Sequence, residues 1–178
     1  FVGSLHPRKN LARLFSAFDL FRTQANHSVK LLVVGEKKWW TKPIREAYEQ
    51  MKCKDEVVFC GRLNAHELHQ VTAAALAVTY VSYFEGFGIP IVEAFRCGVP
   101  VITSNVTAMP EVAGDAALLV DPFDISSIAR AMATICTDET TRKKLIEKGQ
   151  ERSLLFTWDK AAVRLWQSIQ QTINTPHE

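Results

Sequence analysis

At 178 residues, with 47% apolar and 22% charged side chains, the chain is long enough for one sizeable core and has an ordinary globular composition. A formal net charge of +2 with no dense basic tract gives no nucleic-acid surface, so no nucleic-acid partner is expected. No apolar run approaches a membrane span and no signal peptide is visible.

Strand and helix signals alternate along the chain. Phe1–Ser4 reads as a short strand with no initiator Met and no lead-in, so the chain is expected to be a piece of a longer protein. Leu11, Leu14, Phe15, Phe18 and Phe21 then recur at helical spacing and predict one core-facing stripe. Lys30–Gly35 is a continuous apolar run, as expected of a parallel strand buried on both faces. Pro43 sits near the start of a helix reaching about Met51, and Glu56–Cys60 is the next strand, closed by Gly61. Asn64 and Glu67 have capping-box spacing ahead of a helix through Ala74.

Leu76–Val81 reads as another buried strand, followed by a helix from Ile89 to about Cys97. Val101–Thr103 is a strand, Pro110–Ala113 a helical turn, and Ala117–Val120 the last strand. Beyond it Asp124, Asp138 and Thr157 each cap a helix, and Ala161, Leu165, Ile169 and Ile173 line one face of the third. Five or six short strands separated by helices imply an α/β fold, a doubly wound parallel sheet in a Rossmann-like three-layer α/β/α domain over residues 1–178. Ligands bind such sheets at the carboxyl ends of the strands, where the loops after Ser4, Gly35, Gly61 and Tyr83 should gather. Cys53, Cys60, Cys97 and Cys136 lack metal or redox spacing and read as buried free thiols in a reducing compartment.

The segment Glu85-Gly86-Phe87-Gly88-Ile89-Pro90-Ile91-Val92-Glu93 carries the clearest chemistry. Two carboxylates flank an apolar stretch whose glycines permit close backbone approach and whose Pro90 suits a first helical position. Glu85 belongs on the loop after a strand and Glu93 just inside the next helix. Free amides, a positive helix end and two hydroxyl-seeking carboxylates fit a ligand that carries both phosphate and sugar. Arg8 and Lys9 stand where a helix starts, an end that disfavours cations by about 0.3–1 kcal/mol, so their placement wants a reason.

Several segments together resemble the C-terminal, donor-binding domain of a GT-B, family four (group 1) retaining glycosyltransferase. They are Phe1–Leu11, Leu32–Gly35, Val57–Leu63, Glu85–Glu93, Gly98–Ser104 and Pro110–Pro122, in matching order and spacing. The resemblance implies that Glu85 contacts the donor sugar and Glu93 the ribose hydroxyls, with the amides of Gly86, Phe87, Gly88 and Ile89 at the diphosphate. It implies that Lys9 binds the diphosphate and offsets charge on the leaving group, with no metal and no cofactor. Many members carry Arg directly after the first glycine; Ser4 stands there, and Arg8 is the alternative source of the second charge. Gly35 is placed near the phosphates, and Gly61, Arg62 and Leu63 at the base, although a tight-turn role for Gly61 stands equally open. Trp39 and Trp40 fit base stacking, a partner domain or a cover for the sheet. His66 and His69 lie one helical turn apart without a third ligand, which favours surface histidines over a metal site.

The expected activity is therefore transfer of a sugar from a GDP- or UDP-linked donor to an acceptor hydroxyl, with retention. The resemblance implies three partners: the NDP-sugar, an absent N-terminal acceptor domain of the same protein, and an acceptor glycan or lipid-linked sugar. It also implies a cytoplasmic location, at the inner membrane face in the full-length protein. Two other functions stay open: a non-catalytic nucleotide-sugar-binding module, and a glycoside hydrolase that uses Glu85 and Glu93 as its carboxylate pair.

Overall fold

The computed structural model describes residues 1–24 and 28–174. Five parallel strands alternate with helices in chain order: α1 (Leu11–Gln24), β1 (Leu31–Val34), α2 (Lys42–Glu49), β2 (Val57–Gly61), α3 (Ala65–Ala73) and β3 (Val78–Tyr80). Then come α4 (Ile89–Arg96), β4 (Val101–Ser104), α5 (Met109–Ala113), β5 (Ala117–Val120), α6 (Ile125–Thr137), α7 (Glu139–Ser153) and α8 (Trp158–Asn174). The strands form two parallel sheets, β1–β2 and β3–β4–β5.

Alternate residues of the second sheet enter opposite cores, because successive strand side chains point to opposite faces. Val101 joins a cluster with α4 and α5, including Ile91, Phe95, Met109 and Val112. Ile102 joins the larger cluster, built on α1, β1 and α6 around Leu14, Phe15, Phe18 and Ile128. Strands coated on both faces by helices are the expected doubly wound, Rossmann-like α/β arrangement. The six buried residues of α1 include five of large volume, each worth about 1.5–3 kcal/mol on burial, so this helix anchors the larger core.

Local signals placed most boundaries. Asn64 accepts from the Glu67 amide while the Glu67 carboxylate accepts from the Asn64 amide, a complete capping box. Asp124 and Asp138 accept from the amides of Ser126 and Thr141, and Thr157 from that of Lys160, at the starts of α6, α7 and α8.

Four expectations change. Phe1–Ser4 is not a full strand: only Val2 bridges Val34, because Gly3 turns the backbone away to meet the second loop. Leu32 is exposed although Val34 on the same face is buried, so that face of β1 is left open at its start. β3 begins at Val78, since Leu76 lies in an exposed turn. The four cysteines are free but only partly buried, in half-covered positions beside helix ends and strand edges. Burial still pushes the Cys53 thiol up to about 12, with Asp19 adding to it, which makes it a poor nucleophile.

Gly35 closes β1 against the first loop. With φ at +145°, a side chain there would place its Cβ 1.9 Å from the carbonyl oxygen of Gly3. The same residue donates its amide to the Gly61 carbonyl at 2.7 Å, so three loop starts meet at this point. Gly35→Ala should cost about 3 kcal/mol or more of unfolding free energy, read as a lower urea midpoint at unchanged m-value.

Candidate nucleotide-sugar site

The first loop is a single 3-10 turn, Pro7–Lys9, and its neighbours define it. His6 accepts from the Arg8 amide through Nδ1 at 3.2 Å, and Pro7 occupies the first position, where no donor is needed. Asn10 ends the turn in the left-handed region at φ +60°, a conformation its short polar side chain tolerates. That side chain is buried and donates to the Val81 carbonyl at 3.0 Å and the Pro122 carbonyl at 2.7 Å. The turn is thus bolted to the ends of β3 and β5, and the Tyr83 amide adds a bond to the Arg8 carbonyl at 2.8 Å.

Held this way, the turn sends Arg8 outward and Lys9 inward. Lys9 is only 7% exposed. Its Nζ lies 2.6 Å from Glu85 Oε1, and Arg8 Nη1 lies 2.6 Å from Glu85 Oε2 and 3.1 Å from the Phe84 carbonyl. Lys9 Nζ also donates to the Tyr80 hydroxyl at 2.5 Å and sits 4.6 Å from the centre of that ring. Gly3 makes room for the stem, since a Cβ on it would come within 3.4 Å of Lys9 Cε.

Burial opposes the charge on Glu85, but the hydrogen bonds from Lys9 and Arg8 outweigh it and hold the carboxyl below the usual carboxylate range. For Lys9, burial lowers the ammonium pKa and Glu85 pulls it back up. Burial and then the Glu85 charge raise the Tyr80 phenol well above its usual value, so the hydroxyl keeps its proton.

Beside this cluster, the loop after β3 leads into α4. Gly88 is its N-cap, left-handed at φ +107°, with Pro90 in the first turn. Among the described residues, the amides of Gly86, Phe87, Gly88 and Ile89 donate no hydrogen bond. Free amide donors at a positive helix end are chemically suited to an anion. Phe87 and Ile89 are exposed, Phe87 meeting Phe156 edge-on, and Glu93 stands exposed on the next turn of α4.

The structure gathers the predicted loops as expected. Arg8, Lys9 and Glu85 are in direct contact, and Gly3, Gly35 and Gly61 join them through the close approach described above. Arg8, not Ser4, sits beside Lys9; Ser4 is simply exposed. Arg62 is solvent-exposed with a long 3.7 Å ion pair to Glu36, and Leu63 is half-buried on the loop after β2. Glu93, Arg62 and Leu63 lie outside the charged cluster. Trp40 packs with Phe15, Tyr48 and Phe59 and so covers the sheet, whereas Trp39 is exposed and edge-on to His6. His66 and His69 are exposed on α3. Two residues escaped the sequence reading, Asn10 and Tyr80. The available signal was a polar group inside an apolar run, Tyr80 between Val78 and Val81.

The model of the family described as "Glycosyl transferases group 1" matches residues 1–152. The O-antigen chain mannosyltransferase B of Escherichia coli is 32% identical over 174 residues, which are 98% of this chain and 44% of that protein. Sucrose-phosphate synthase from Thermosynechococcus elongatus superposes with a TM-score of 0.81 at 29% identity, over 97% of this chain and 44% of that one. Anabaena HepE, solved in complex with UDP-glucose, superposes at 0.79 and 24% identity, over 97% and 47% of the two chains, and shares the fold. The chain thus spans less than half the length of each protein it matches here.

Because the native state holds Glu85 ionised below its usual pKa, it binds fewer protons there than the unfolded chain. The resulting stability is fully present above the ordinary carboxylate pKa and is lost as pH falls through the folded-state value. Glu85→Gln should therefore flatten the acid limb of a stability-versus-pH profile below about pH 4. Denaturant melts at pH 3 to 7 check it.

Proposed function

The chain belongs to the group 1 glycosyl transferases, and from that premise we propose that it forms the donor-binding part of a sugar transferase. The observation that carries the reading is the placement of Lys9 and Arg8 against Glu85, beside four amides with no acceptor among the described residues. The diphosphate of an NDP-sugar lies on those amides and on Lys9. Glu85 accepts from sugar hydroxyls, and Glu93 from the ribose diol. Gly35 lies near the phosphates, and Gly61, Arg62 and Leu63 border the base.

When the sugar–phosphate bond breaks, negative charge grows on the leaving oxygen. Lys9, the amides and the α4 dipole already face it, so they stabilise it without reorganising. That supply of positive charge supports a metal-independent reaction, which we take to proceed with retention. The E. coli relative is a mannosyltransferase, which favours a mannosyl donor on GDP over one on UDP. We assign the acceptor, a glycan or lipid-linked sugar, to a further domain of the same protein, a reading that the greater length of the relatives supports. We place the reaction in the cytoplasm, at the inner membrane face; no helix of the described residues is long and apolar enough to cross a membrane.

The hydrolase reading loses support on electrostatic grounds. An acid catalyst must hold its proton near neutral pH, whereas Glu85 is paired with two cations and its pKa is lowered. A binding module without turnover uses the same residues and differs only in what accompanies them.

Calorimetric titration of the 178-residue chain with GDP and UDP should show binding of one of them. Lys9→Ala and Glu93→Ala should each weaken it by about tenfold or more, while transfer by the chain alone stays negligible. Undiminished binding in both variants, or measurable transfer unaided, overturns the proposal.

A further inference from the structure

Lys9 must keep its ammonium in one place while its charged neighbour changes partners. Nζ has two acceptors, the Glu85 carboxylate at 2.6 Å and the Tyr80 hydroxyl at 2.5 Å. On the reading proposed above, on which this inference rests, Glu85 turns its oxygens to sugar hydroxyls when the donor binds. Its contact with Lys9 then weakens at the moment when the ammonium has to face the diphosphate. A lysine stem has four rotatable bonds and about 2 kcal/mol of rotamer entropy, so an ammonium with no second partner would wander.

Tyr80 has what Glu85 lacks, a fixed position. It is the last residue of β3, only 2% exposed, paired in register with Thr103 of β4. Its own carbonyl accepts from the Thr103 hydroxyl at 2.8 Å. Its ring packs beside Gly88, where an added Cβ would meet Ile91 Cδ1 at 3.0 Å and stand 3.9 Å from Tyr80 Cε1. The hydroxyl therefore comes from the rigid sheet, not from a loop, and the ring below it offers its face to the same cation.

We propose that Tyr80 is the positioning residue of the donor site: its hydroxyl holds the Lys9 ammonium in place for the diphosphate after Glu85 has turned to the sugar. Lys9 then keeps one anchor in the sheet and directs its remaining protons at phosphate. Glu85 is free to read the sugar without dragging the cation with it.

The test compares Tyr80→Phe with the wild type, using whichever of GDP and UDP the wild type binds, and the matching nucleoside, guanosine or uridine. Phe keeps the ring and its packing and removes only the hydroxyl. The nucleotide affinity should fall about tenfold while nucleoside affinity stays the same, because only the diphosphate meets Lys9. With lysines labelled at Cε, the Lys9 resonance should stand apart in the wild type and move among the exposed lysines in the variant. Equal losses for nucleotide and nucleoside assign Tyr80 to the fold and overturn the inference. So does unchanged nucleotide affinity, or a Lys9 resonance that does not move; either leaves the donor-site reading standing. A wild-type chain that binds neither nucleotide takes down both.

Discussion

A half-hidden carboxylate shared by two cations is the contact around which the rest of the site is arranged. Removing an ammonium from water is expensive, and Lys9 is tolerated inside because Glu85 lies against it and Tyr80 completes its coordination. The surrounding features all bear on that burial. Gly3 lacks a side chain where the stem passes, and Asn10 fixes the turn that aims it. Gly35 in turn lets Gly3 come close. Arg8, itself solvent-exposed, pairs with the second oxygen of the carboxylate.

The position of this contact follows from topology. β1–β2 and β3–β4–β5 are separate sheets, and the chain links them at their carboxyl ends through the Pro7–Asn10 turn. Asn10 reaches the ends of β3 and β5 while Gly3 holds to Val34 beside β1. Cations and free amides therefore collect where open α/β sheets accept ligands, at a crevice beyond the strand ends.

Local chemistry made much of this legible from residues alone. The caps at Asn64, Asp124 and Asp138 need only neighbours two or three residues away, and each formed as its spacing suggests. Arg8, Lys9 and Glu85 were legible as candidates because charge in those places opposes local preference. Leu32 and Leu76 were misjudged for the opposite reason: an apolar run shows what a strand can bury, not which neighbour arrives to cover it. Tyr80 was hidden most completely. In an apolar run it passes for core, and its partner lies 71 residues earlier in the chain. Hydrogen bonds at such separation leave no periodic trace.

The last helix has a consequence for how this molecule can be watched. Every residue of α8 lies outside the core, and Trp158 and Trp166 on it are 85% and 59% exposed. Trp39 is 54% exposed as well, which leaves Trp40 as the one indole of the four packed among other rings. Three quarters of the fluorophores already face water in the native state. Intrinsic emission will therefore sit near the red, unfolded position from the outset, and a soluble quencher will reach most of it. Cooperative loss of the fold will register optically through Trp40, the indole that shares its cluster with Phe15 of α1.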